Sequence, residues 1–228
     1  MSSSTDKNRD PTTDFYSTPP WCVKALYHTV PWLPCPTLDP CAGDGALMDG
    51  AMRGIEVNAD RALLAGWATG GRVAQGDGLR ASWAGEDVLM NPPFANLMEW
   101  ILKGLAEARS VVCLMRQGVL CGGARAPFWR HNPPDLIAHM SNRAFADSAD
   151  YVWVAWTGLD NYRRCMADEL TRPVNMLQPM HPVDVQTVWL NREMAGVAVT
   201  EHAREAWAAW TERGYPTEAQ SAQKTDAS

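Results

Sequence analysis

Asp39-Pro40-Cys41-Ala42-Gly43-Asp44-Gly45 follows the short run Pro36-Thr37-Leu38 and leads into Ala46 to Met52, a stretch able to form a short helix. Gly43 and Gly45 lack a Cβ, so the backbone there can turn tightly and approach a ligand closely. The same succession of apolar run, turn and helix continues outward. Strands are expected over residues 36–39, 54–57, 72–75, 87–90, 110–115, 136–140 and 151–156. Helices are expected over 46–52, 61–68 and 97–108. A further amphipathic helix over 201–213 carries Trp207 and Trp210 on one face. Strands alternating with helices imply an α/β fold of parallel βαβ units with right-handed crossovers. In such sheets ligands bind beyond the carboxyl ends of the strands. The residues with chemical potential fall at those ends.

The 39–45 loop lacks a full G-x-G-x-x-G, and no Lys-Ser/Thr follows it, so it is neither a dinucleotide fingerprint nor a P-loop. Glu56 ends the second strand, where a carboxylate can accept both hydroxyls of a ribose; Asp60 is the alternative. Asp77 follows the third strand, where it can accept from an exocyclic adenine amine. Together these sites describe a positively charged ligand that contains adenosine. Asn91-Pro92-Pro93-Phe94 ends the fourth strand. The two prolines make the loop rigid and extended. The Asn91 side-chain carbonyl and the Pro92 carbonyl can then converge on one NH2 group, and Phe94 offers a ring for a planar group to stack on. A second Asn-Pro-Pro, at 132–134, precedes a strand, has no aromatic, and is read as a loop.

The chain has 228 residues, 46% hydrophobic and 20% charged, which fits a folded globular protein and excludes general disorder or a fibrous repeat. No apolar run approaches the roughly 18 residues of a membrane span. The first twenty residues lack an apolar signal region, so a cytoplasmic location is expected. The six cysteines show no C-x-x-C spacing and are read as reduced thiols, with no metal site. A net charge of −6 argues against coating nucleic acid by bulk charge. Locally, however, Arg116, Arg125, Arg130 and Arg143 face only Asp135 across residues 113–146, and they are the candidates for phosphate contact, with Arg163 and Arg164 behind them. Trp21 and Trp129 are the tryptophans considered for a place near a ligand.

The pairing of DPCAGDG with NPPF resembles the S-adenosylmethionine-dependent amino-methyltransferases of the Rossmann-like class I fold. Asp14-Phe15-Tyr16-Ser17-Thr18-Pro19-Pro20-Trp21 resembles their FxTP-type motif, and the motif order resembles the gamma arrangement of DNA adenine-N6 methyltransferases. Residues 141–145 and 150–156 resemble the downstream part of small phage-type enzymes, so the likeness spans residues 14–157. The resemblance implies a seven-stranded, mostly parallel sheet with an antiparallel last strand. It implies a single methyltransferase domain over 15–215 with loop insertions, between disordered tails at 1–14 and 216–228. It places Asp39, Ala42, Gly43 and Gly45 around the methionine part of S-adenosylmethionine, with Phe15, Thr18 and Pro19 beside it. Glu56 would hold the ribose and Asp77 the adenine ring. Asn91, Pro92, Pro93 and Phe94 would hold the target base.

The expected activity is methyl transfer to adenine N6 in DNA, in a host cytoplasm and in a restriction-modification setting if the chain is phage-encoded. No separate target-recognition domain is expected, so sequence reading would fall to loops 116–135 and 157–187. An adenine in RNA or a protein glutamine carboxamide fits the same clamp. Cytosine N4 fits less well, since that subgroup has Ser in place of Asn91. A nucleic-acid-binding protein with a degenerate pocket is the non-enzymatic alternative.

Overall fold

The computed structural model describes residues 15–142, 144–145, 149–158 and 185–190. The expected helix over 201–213, the two tails, most of loop 157–187, Arg143, Arg163 and Arg164 lie outside them. Eight strands form one sheet: β1 (Leu38–Asp39), β2 (Arg53–Glu56), β3 (Val73–Gln75), β4 (Asp87–Met90), β5 (Ser110–Arg116), β6 (Leu136–Met140), β7 (Tyr151–Trp156) and β8 (Gln186–Leu190). Their order across the sheet is β3-β2-β1-β4-β5-β7-β6-β8. Strands β1 to β5 run parallel, and β7 is antiparallel between β5 and β6. The seven expected strands are present to within about two residues. Among the described residues the sheet nonetheless has eight, because β8 adds parallel to β6 at one edge.

Strands covered on both faces need apolar side chains at successive positions. In β5, Val112 and Leu114 face one core, and Val111, Cys113 and Met115 face the other. On β7, Trp153 joins the first core, while Trp156 joins the second, with Val154. The first core is covered by α1 (Pro20–Thr29) through Trp21, Cys22, Ala25 and Leu26. The second is covered by α3 (Leu97–Glu107) through Leu97, Trp100 and Ile101. α2 (Ala59–Ala68) starts where the Asn58 side chain accepts from the Arg61 N–H at 3.0 Å, a standard N-cap. α4 (Ala126–His131) sets Phe128 and Trp129 against the second core.

The sequence reading missed α1, α4 and β8. It also expected a helix over 46–52 where none forms. That connection descends as consecutive turns: Gly45 N–H donates to Ala42 O, Met48 N–H to Gly45 O and Met52 N–H to Asp49 O. Gly45 (φ 83°) and Gly50 (φ 53°) adopt left-handed backbone there. With only thirteen residues between the end of β1 and the start of β2 and three left-handed glycines among them, Gly43, Gly45 and Gly50, turns replace a regular helix.

Gly104, on α3, lies so close to β5 that a Cβ would stand 2.7 Å from Val111 Cγ2. Alanine is ordinarily the better helix residue. Here Gly104→Ala is expected to destabilise the fold by about 1–3 kcal/mol through overpacking, read as a lowered midpoint in thermal or denaturant unfolding.

Candidate active site

A cavity of about 330 Å³ lies at the carboxyl ends of β1 to β4. The chain order reverses between β1 and β4, and this switch point is where open α/β sheets bind ligands. Phe15, Thr18, Asp39, Ala42, Gly43, Glu56, Asp77, Asn91 and Pro93 all line it, which unites residues up to 78 positions apart. Pro19, Gly45, Pro92 and Phe94 do not. Pro19 precedes α1, Gly45 turns the chain, Pro92 is buried, and Phe94 points to a neighbouring aromatic group.

Asp39 ends β1 almost fully buried. Its Oδ1 accepts from the Cys41 N–H at 3.1 Å, whereas its Oδ2 has no partner among the described residues. Burial, with the nearby charges of Glu56 and Asp44, pushes its pKa up to about 7. A buried carboxylate with an unsatisfied oxygen favours a cationic donor. Gly43 adopts φ 55°, and a Cβ there would lie 2.5 Å from Phe15 Cε2, so Phe15 closes directly over the loop. Arg61 stacks on that ring, with Cζ 4.9 Å from its centroid.

Glu56 ends β2 and is buried. Its Oε2 accepts from Gly43 N–H at 2.9 Å; its Oε1 accepts from Asn58 N–H at 2.8 Å and from Arg61 at 3.1–3.2 Å. It therefore fixes the glycine loop as well as facing the cavity. Asp60, the alternative, is exposed in the first turn of α2 and does not line the cavity. Asp77 accepts from Leu79 N–H at 2.9 Å and pairs with Arg80 at 3.3 Å, with its side chain 44% exposed.

Asn91 follows β4. Its Nδ2 donates to Tyr16 O at 3.2 Å and to Thr18 Oγ1 at 3.0 Å. Its Oδ1 is buried with no partner among the described residues. An Asn oxygen in a turn is normally satisfied by a backbone N–H just downstream. Positions 92 and 93 are prolines and have none to offer. The covalent structure of the loop itself thus leaves this acceptor open.

Beside it stands an aromatic group. Phe94 lies 6.0 Å from Tyr16 and 5.7 Å from Tyr151, ring centre to ring centre, and Phe145 lies 5.5 Å from Tyr16 and 4.7 Å from Tyr151. Arg116, at the end of β5, sets its guanidinium 5.1 Å from the Phe94 centroid. Arg125 donates through Nη1 to the carbonyls of Gly118, Val119 and Cys121, so it organises the loop after β5. Arg130 is exposed at the end of α4. Trp129 stacks 6.1 Å from Trp156, and Trp21 is in the first core; neither lines the cavity.

The cavity also holds residues that the sequence reading did not single out: Cys41, Arg61, Gly78, Asn96 and Trp100. Gly78 carried a signal, since Gly76-Asp77-Gly78 brackets the predicted acid. Arg61 and Trp100 carried none, because helix spacing alone does not reveal which strand end a side chain meets.

No family model matches the chain, and no curated protein matches it. Solved structures do. The M protein of the type I restriction enzyme EcoKI superposes with a TM-score of 0.51 at 16% identity, over 64% of this chain and 44% of that one. A Listeria monocytogenes protein described as a class I S-adenosylmethionine-dependent methyltransferase superposes with a TM-score of 0.53 at 13% identity, over 78% of this chain and 66% of that one. The chain therefore spans less than half of the first and about two thirds of the second. The fold is the Rossmann-like class I methyltransferase fold.

Gly78 is the tightest contact of the site: a Cβ would lie 1.8 Å from the Pro40 carbonyl oxygen. Gly78→Ala is expected to push the β1 and β3 loops apart and to cost about 2 kcal/mol or more, measured by denaturant unfolding.

Proposed function

We propose that the chain is an S-adenosylmethionine-dependent methyltransferase acting on the exocyclic N6 of adenine in DNA. The observation that carries this reading is the open Oδ1 of Asn91, buried beside the cavity while its own amide group is held from behind. An unpartnered buried acceptor next to two prolines suits an NH2 group and leaves a hydroxyl or a phosphate poorly matched.

The cavity fits the cofactor. The Oδ2 of Asp39, without a partner among the described residues, suits a ligand ammonium group, Glu56 faces the space with a carboxylate suited to sugar hydroxyls, and Gly43, having no Cβ, lets the Phe15 ring close over the loop at the cavity wall. When bound, S-adenosylmethionine supplies a methyl group on a positively charged sulfur. The chain's contribution is to hold the amine. Asn91 Oδ1 and the Pro92 carbonyl accept its two hydrogens, aim the nitrogen lone pair and stabilise the positive charge that grows as nitrogen is alkylated, before one proton leaves to solvent. Positioning of this kind lowers a barrier by on the order of 7–11 kcal/mol. Phe94 gives the base a stacking surface; Phe145 and Tyr151 extend it. Arg116, Arg125, Arg130 and Arg143 are proposed to serve the phosphate backbone as a set.

The direct test is transfer from labelled S-adenosylmethionine to unmethylated duplex DNA, single-stranded DNA, RNA and a glutamine peptide, with products identified by mass. N6-methyladenine in DNA is the expected product, and Asn91→Ala is expected to slow its formation by about 10²–10³-fold. Label appearing in RNA or peptide alone would overturn the DNA assignment.

Asp39 adds a pH dependence. With its pKa near 7, the carboxyl is neutral at pH 6 and mostly ionised at pH 7.5. Only the ionised form attracts an ammonium group. Cofactor affinity is expected to weaken by close to tenfold, roughly one logarithmic unit, between pH 7.5 and pH 6. Binding at pH 7 is expected to release about half a proton per site, since half the carboxyls are protonated there. Calorimetry in two buffers measures both effects, and Asp39→Asn is expected to flatten the profile.

A further inference from the structure

The resemblance of the 14–21 segment places Thr18 beside the methionine end of a cofactor, but the hydrogen bonds give it a different partner. Thr18 is buried, and its Oγ1 accepts from Asn91 Nδ2 at 3.0 Å, across 73 residues of sequence. The second Nδ2 hydrogen goes to the Tyr16 carbonyl at 3.2 Å. A carbonyl has no hydrogen to give, so only the nitrogen end of the Asn91 amide can face it. Were the amide rotated by a half turn, Oδ1 would meet the Tyr16 oxygen, and Nδ2 would face the proposed amine with its own hydrogens. The segment preceding α1 thus determines which end of Asn91 meets the substrate.

We infer that Thr18 is a positioning residue for the amine clamp: its hydroxyl, with the Tyr16 carbonyl, locks the Asn91 amide with Oδ1 toward the target nitrogen. This inference rests on the proposed function for its catalytic consequence, but not for its structural content. A methyl group in place of the hydroxyl cannot accept from Nδ2, so Thr18→Val keeps the shape and removes the lock. Thr18→Ser keeps the lock and removes a methyl. A residue that served only the cofactor would change cofactor affinity and leave the rate at saturation alone. A residue that orients Asn91 does the reverse.

The test measures single-turnover methyl transfer, cofactor affinity by calorimetry, and hydrogen exchange of the Asn91 side-chain amide in the full chain labelled with ¹⁵N. The amide pair is identified by its disappearance in Asn91→Ala. Thr18→Val is expected to slow transfer by about 10²-fold, the scale of a small misplacement at a reacting centre. Cofactor affinity should stay within about threefold of the original, and amide exchange should accelerate at least about tenfold, as protection by one of the two bonds is lost. Thr18→Ser is expected to restore both rate and protection. Thr18→Ala replaces the valine variant if that one fails to fold. A transfer rate unchanged in Thr18→Val, or lost cofactor affinity with rate at saturation intact, overturns the assignment. If the original chain methylates nothing, the proposed function falls; amide exchange still decides the lock, and unaltered protection in Thr18→Val overturns it.

Discussion

The two halves of the sheet are joined through two successive residues, Thr37 and Leu38. Leu38 in β1 pairs with Arg53 of β2 on one side and with Val88 of β4 on the other. β1 is only two residues long, so its neighbours reinforce it from just before the strand. Thr37 N–H donates to Asp87 O, its hydroxyl oxygen accepts from the Asp87 N–H, and its carbonyl accepts from Arg53 N–H. Everything proposed for the site depends on that seam. The acids sit on the β1–β3 side and the amine clamp on the β4 side, so their separation is set by how β1 and β4 lie together.

Much of this architecture was legible in the sequence because it is written locally. β4, β5 and β7 are buried on both faces and read as unbroken apolar runs. The loops after β1 and β4 announce themselves through Gly and Pro, whose backbone constraints hold in any context. α1 escaped because Pro19-Pro20 reads as part of an extended motif, although proline is well suited to the first position of a helix. β8 escaped because the strand it pairs with among the described residues, β6, lies more than forty residues earlier. The helix expected over 46–52 failed for a reason visible only in three dimensions: the connection must pass from the top of β1 to the base of β2 within thirteen residues, three of them left-handed glycines.

The candidate site divides along the same line. Asp39, Glu56 and Asn91 were legible from their places at strand ends. Their hydrogen-bond partners were not. Glu56 doubles as the tie that holds Gly43, and Arg61 reaches it from the next helix. Phe94, anticipated as a stacking surface, and Phe15, anticipated beside the methionine part of the cofactor, both carry an arginine on the ring, Arg116 on the first and Arg61 on the second. Arg116, expected at the phosphate backbone, thus stands against the same ring as the proposed base. Such pairings depend on which elements the fold brings together, and residue type does not disclose them.

The helix-free connection after β1 also changes the electrostatic character of the cavity. In an α/β sheet, a helix that starts directly behind the glycine loop presents its positive end and its free N–H groups to a bound ligand, a ready site for phosphate. Here turns follow the loop, and at the neighbouring start of α2 the Asn58 N–H is already bonded to Glu56. The carboxylates around Gly43 face the cavity without an opposing helix dipole behind that loop. Arg61 offsets Glu56, so under the proposed function it is Asp39 and Asp44, with no helix end opposing them, that would disfavour an adenosine bearing phosphates relative to one whose far end carries positive charge.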